Sequence, residues 1–108
     1  MTREELARAI ADGIIATHVE GEFDSVSCST AGDYPSIGIS QWEGDRADDL
    51  LARISGGDRY AGLSYSDIAS SGELWNLEEL LRSEEGQEAQ RQKLAEDCLD
   101  YVDALWEI

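Results

Sequence analysis

Residues 22–44 interrupt the helical pattern that runs through the rest of the chain, and this interruption most constrains the fold. The stretch carries Gly32, the only proline Pro35, Gly38 and Gly44 in a setting rich in Ser and Thr, and such residues punctuate a chain as turns. A short strand or hairpin fits around Ser36 to Gln41. An irregular segment this long inside a compact domain is more often functional than idle, so the stretch SIGISQWEGDR at 36–46 either connects helices or presents a polar wall to a ligand.

On either side the periodicity is helical. Thr2 followed by Glu5 has capping-box spacing, and Leu6, Ile10 and Ile14 recur every four residues as one buried stripe. Gly21 is a natural stop, which puts Glu20 at or just beyond the last turn. A second helix starts at Asp45, with Ala47, Leu50, Leu51 and Ile54 inward, and Gly56-Gly57 end it. DRYAGLSYS at 58–66 reads as a connecting loop with Tyr60 and Tyr65 exposed, and Ser66 or Ser71 as the next cap. Leu74, Leu77, Leu80 and Leu81 mark another apolar face. The last helix is predicted from Glu85 to Trp106, with Leu94, Cys98, Tyr101, Val102 and Leu105 inward. No repeat, low-complexity tract or linker divides the 108 residues. The predicted architecture is one domain over residues 1–108, mainly α (α+β at most), with an irregular loop or small hairpin between the first and second helices.

Charge limits the partners. With 24 acidic against 8 basic residues, the formal net charge is −16, and such a chain is repelled by nucleic-acid phosphates and anionic membranes. The basic residues are scattered among carboxylates, so direct nucleic-acid binding is not expected. No apolar run reaches membrane-spanning length. The N-terminus MTREELARAI is charged and lacks the apolar region and cleavage site of a secretory leader. The expectation is cytoplasmic synthesis, with action outside requiring lysis, carriage on a larger particle or excision from a longer exported protein. Cys28 and Cys98 do not have zinc-site spacing and His18 is the only histidine, so no metal or cofactor is expected. Both cysteines read as reduced and structural.

Glu20 is the residue placed for acid chemistry. A carboxylate at a helix C-terminus feels the negative end of the macrodipole, which disfavours ionisation, and partial burial acts in the same direction. In the irregular stretch Gly38 and Gly44 let a backbone approach a ligand closely, while Ser36, Ser40 and Gln41 offer neutral hydrogen bonds. Trp42, Tyr34 and Tyr65 offer flat apolar faces. That mixture suits a sugar better than a phosphate or a metal. The same residues also read as packing, with Trp42 in the core and Gln41 satisfying loop backbone.

EGEFDSV at 20–26, followed by YPSIGISQWEGDRADDLLARI at 34–54, resembles the lysozyme-like domains of phage and Gram-positive cell-wall hydrolases, related to goose-type lysozymes and lytic transglycosylases. LLRSEEGQEAQRQKLAEDCLDYV at 80–102 resembles the helices that follow in those domains, so the similarity touches most of the chain. The resemblance implies a lysozyme-like helical fold and cleavage of the β-1,4 bond between N-acetylmuramic acid and N-acetylglucosamine in peptidoglycan. It implies Glu20 as the general acid, with Ser36, Gly38 and Gln41 lining the substrate beside Trp42 and Tyr34. Hydrolysis uses a second carboxylate, for which Asp24, Asp33, Glu43 and Asp45 are the candidates. A lytic transglycosylase needs none, because the substrate's own 6-hydroxyl attacks.

Two departures from that family sustain a second reading. Its members usually continue past the point where this chain ends, which implies a shortened version, a fragment or a descendant that has lost activity, and they are commonly basic. The second reading is a non-catalytic acidic interaction or inhibitor protein on a lysozyme-like scaffold, presenting carboxylates to a basic groove of a partner protein.

Overall fold

The structure, a computed structural model, describes residues 1–17 and 22–106. In order come α1 (Arg3–Thr17), a hairpin of β1 (Val26–Cys28) and β2 (Pro35–Ile37), α2 (Gly44–Ala52), a 3-10 turn (Gly57–Tyr60), α3 (Tyr65–Ser70), α4 (Leu74–Arg82) and α5 (Glu84–Trp106). The chain is therefore mainly α, with one small antiparallel sheet between the first and second helices, as its periodicity predicts. Among the described residues no helix is long and apolar enough to cross a membrane.

The capping box at the start of α1 is formed. Glu5 N donates to Thr2 Oγ1 at 3.0 Å and Thr2 N donates to Glu5 Oε1 at 3.2 Å. The buried residues of α1, however, are Ala7 and Ala11, while Ile10 is 36% exposed and Leu6 and Ile14 are half-buried. The reason is that α1 packs mainly along one neighbour, α5. Alanines at the contact let two helices approach closely, and the larger residues flank the seam. The two run antiparallel, with Arg3 of α1 3.4 Å from Asp103 near the end of α5.

β1 and β2 pair with Val26 opposite Ile37 and Cys28 opposite Pro35; β2 rests on α2 and β1 on α4. The inner faces of α2 and α4 are those the spacing predicts: Ala47, Leu50, Leu51 and, just past α2, Ile54 are buried, as are Leu77 and Leu81. Three expectations change. Tyr60 is buried rather than exposed, because its 3-10 turn folds it inward and its hydroxyl donates to Glu73 Oε2 at 2.9 Å. The cap of α3 is Ser64, whose Oγ accepts from Asp67 N at 3.0 Å. On α5, Leu94, Cys98 and Val102 point inward, but Tyr101 and Leu105 are exposed, since α1 covers only the Cys98–Val102 side of that end. No disulfide joins Cys28 and Cys98; Cys28 is exposed on the hairpin, so of the two only Cys98 belongs to the core.

Candidate functional site

The stretch SIGISQW folds as a plug with one polar side. Ile37 and Trp42 exchange two backbone hydrogen bonds of 2.9 Å each, closing a four-residue reversal over 38–41. The reversal needs left-handed backbone at Gly38 (φ +79°) and Gln41 (φ 52°). Ile37, Ile39 and Trp42 all enter the core, each no more than 3% exposed. The buried amide of Gln90 on α5 holds the plug in place. Its Oε1 accepts from Ile39 N at 2.8 Å, and its Nε2 donates to Phe23 O at 3.0 Å and Leu81 O at 2.9 Å. Any side chain at residue 38 would place its Cβ 2.7 Å from that Oε1 and 3.1 Å from the Trp42 ring. Gly38 thus makes room for packing rather than for a ligand.

Ser36, Gly38 and Trp42, expected on a substrate wall, are inside the protein and hold the wall from behind. Ser36 Oγ donates to Glu43 Oε1 at 2.5 Å, and Ser29 Oγ donates to Glu43 Oε2 at 3.1 Å. Trp42 Nε1 donates to Asp97 Oδ2 at 3.0 Å, and Arg46 pairs with the same carboxylate. All three residues of β2 are buried, so both faces of this strand are covered, and the bridge to Ile37 turns Trp42 back into the core. Tyr34 is half-buried and lines a tight, mostly apolar pocket of ≈ 100 Å³ with Tyr60, Leu51 and Leu63, too small for a sugar ring. Asp33 Oδ1 accepts from Ser66 N at 3.0 Å, and Asp45 lies exposed in the first turn of α2.

On the other side of the hairpin an open groove of ≈ 440 Å³ is lined by Glu22, Asp24, Ser25, Val26, Ser27, Gln41 and Glu78. Its size is within the range of roughly 300–1,000 Å³ typical of small-ligand sites. Of the residues expected at a site, Gln41 and Asp24 are brought together here. Gln41 Nε2 donates to Gly38 O at 3.0 Å and its Oε1 accepts from Ser27 Oγ at 2.9 Å. That leaves one amide N–H and one carbonyl lone pair by the side chain's bonding capacity. Asp24 Oδ2 is 3.5 Å from Arg82 Nη1. Three carboxylates, Glu22, Asp24 and Glu78, thus face a groove that also offers a serine hydroxyl and an amide. His18, Glu20 and Gly21 lie outside the described residues; Glu22, which begins the described chain after them, is part of the groove.

Behind the plug, charged groups tie α2 to α5. Lys93, buried on α5, donates to Asp49 Oδ2 at 2.7 Å and sits 5.8 Å from the Trp42 ring centroid. The Lys93 hydrogen bond holds the Asp49 carboxyl below its usual range. Arg53 bonds both Glu96 oxygens, at 2.6 and 2.9 Å, and lowers that carboxyl too. Sequence reasoning missed Gln90 and Lys93, and the groove positions Glu22, Ser27 and Glu78. For Gln90 a signal exists: Gln90, Leu94, Cys98 and Val102 recur at four-residue spacing, so a glutamine stands on the buried stripe of α5. No protein-family model, curated protein or solved structure matches the chain.

Proposed function

We propose that the protein cleaves glycan strands of peptidoglycan at the β-1,4 bond between N-acetylmuramic acid and N-acetylglucosamine, with Glu20 as general acid. The observation that carries this reading is the open groove with Gln41 on its wall and Glu22, two residues after Glu20, on its rim. Neutral donors and acceptors from Ser27 and Gln41, set among carboxylates, suit the hydroxyl and acetamido groups of an uncharged pyranose. Glu20 gives its proton to the leaving glycosidic oxygen as positive charge develops on the sugar, and the broken C1–O bond is replaced by one to water, or to the substrate's own 6-hydroxyl, which gives up its proton in turn. Of the four candidate second carboxylates, Asp24 alone lines the groove, so it is the one assigned. Glu43 is occupied by Ser29 and Ser36, and Asp33 by the backbone of α3.

The net charge of −16 and the three groove carboxylates favour the second reading, an acidic protein that docks into a basic groove of a partner. The same experiment separates the two. Purified protein added to a cell-wall suspension is expected to clear it. Glu20→Gln is expected to lower that rate by about 100-fold or more without moving the thermal midpoint. Clearing that survives in Glu20→Gln removes Glu20 from the chemistry. An inert wild type that binds a basic protein, with affinity falling steeply in salt, replaces the enzyme reading with the acidic-partner one. Asp24→Asn then distinguishes the two cleavage chemistries: hydrolysis is slowed, whereas transglycosylation continues.

A further inference from the structure

We propose that the outer edge of β1 takes up an extended, lysine- or arginine-rich segment of a partner protein as an added strand. Among the described residues β1 pairs with β2 alone. Gly38 N donates to Ser25 O at 2.9 Å, and Ser29 N donates to Tyr34 O at 2.8 Å. With Val26 opposite Ile37, the hydrogen-bonded pairs are then 25–38, 27–36 and 29–34. Bonded and unbonded pairs alternate along an antiparallel ladder, so the N–H and C=O of Val26 and Cys28 point away from β2. Among the described residues nothing bonds those outward groups. Ser27 and Cys28 are exposed and Val26 is half-buried, so solvent reaches the edge. An open edge of this kind is a template for pairing with another chain.

The groove selects the chain that pairs there. Successive side chains of a strand point to opposite faces, yet Ser25, Val26 and Ser27 all line the groove. It therefore runs along the edge of β1, with Glu78 of α4 on its other wall. Glu22, Asp24 and Glu78 set three carboxylates beside the open backbone groups, and Arg82, 3.5 Å from Asp24, offsets one of them. A segment with Lys or Arg at alternate positions sets its backbone against Val26 and Cys28 and its cations among the carboxylates. A second copy of this chain is disfavoured. Pairing β1 with β1 brings two sets of carboxylates together, between molecules that each carry −16. The inference does not rest on the glycan reading, and a bound segment excludes a glycan from the same groove.

The test is fluorescence anisotropy of the full chain with a labelled peptide of about eight residues that alternates Lys and Thr, a composition suited to an extended strand. Two further peptides serve as controls: the same one N-methylated along its whole backbone, and one with Glu in place of Lys. The Lys–Thr peptide is expected to bind at about 20 mM salt and to weaken about tenfold at about 200 mM. N-methylation keeps the charge but removes the strand donors, and is expected to cost a further tenfold or so. Glu78→Gln is expected to weaken binding about threefold without moving the thermal midpoint. Amide exchange at Val26 and Cys28 is expected to slow on binding, while that of Ser27, already bonded to β2, is unchanged. Equal binding of the methylated peptide overturns strand addition, and equal binding of the Glu–Thr peptide overturns the charge selection. No binding of the Lys–Thr peptide at low salt overturns the proposal. Protection of Val26 and Cys28 that rises with protein concentration alone also overturns it, and assigns the edge to a second copy. Wall clearing reads the glycan proposal separately from all of these.

Discussion

Gly38 and Gln90 show what the irregular stretch is for. A Cβ at residue 38 would meet Gln90 Oε1 and the Trp42 ring at a backbone φ of +79°, so Gly38→Ala combines left-handed strain with a clash. The expected loss is about 2 kcal/mol, read as a lower urea midpoint. Gln90→Leu keeps the volume but leaves Ile39 N–H and the Phe23 and Leu81 carbonyls without their partner. Unpaired buried groups make this loss about 3 kcal/mol. Conversely, a Gln90→Leu protein as stable as wild type would show that the plug is held by apolar packing alone. The glycine was legible as a turn, but its reason was not, because the partner that crowds it lies 52 residues away in sequence (90 − 38). From sequence, Trp42 and Gln41 fit both a ligand wall and packing. Trp42 is core, while Gln41 serves the loop backbone and the groove at once.

The elements were legible where one helix face meets a continuous core, as on α2 and α4, and less so where a helix has one neighbour. On α1 the four-residue recurrence of Leu6, Ile10 and Ile14 marks one buried stripe, yet a seam against a single helix selects Ala7 and Ala11. The hairpin was placed within its segment, but the groove beside it was not, because its walls come from the 22–27 segment, the 38–41 turn and α4. Between α2 and α5 the ties are charged, and they carry a pH dependence. Asp49 is held below its usual range first by the Lys93 hydrogen bond, and Glu96 first by that of Arg53. A carboxyl depressed in the folded state contributes stability above its unfolded value, near pH 4, and that contribution is lost as pH falls through the folded value. Urea midpoints are therefore expected to drop as pH falls below about 4. The drop should be smaller in Asp49→Asn, whose midpoint at pH 7 is already lower; equal drops in both proteins would remove the Lys93–Asp49 pair from the acid transition.

For the molecule as a whole, charge and shape set the behaviour. The chain measures 48 × 29 × 23 Å and carries a net −16, so its carboxylates repel one another over distances that salt can screen. Raising ionic strength from about 10 to about 150 mM is expected to raise the thermal midpoint. A midpoint that falls would mean that ion pairs such as Arg53–Glu96 outweigh the general repulsion. Under the proposed glycan-cleaving reading, the same charge does not help approach to an anionic wall, so that reading rests on the groove rather than on attraction at a distance. The most direct test is mass spectrometry of the soluble fragments released from purified peptidoglycan by wild type and by Glu20→Gln. The account predicts disaccharide-peptides cut after N-acetylmuramic acid, carrying either a reducing end or a 1,6-anhydro ring, from wild type alone. No fragments from wild type, or the same fragments from both proteins, would contradict it.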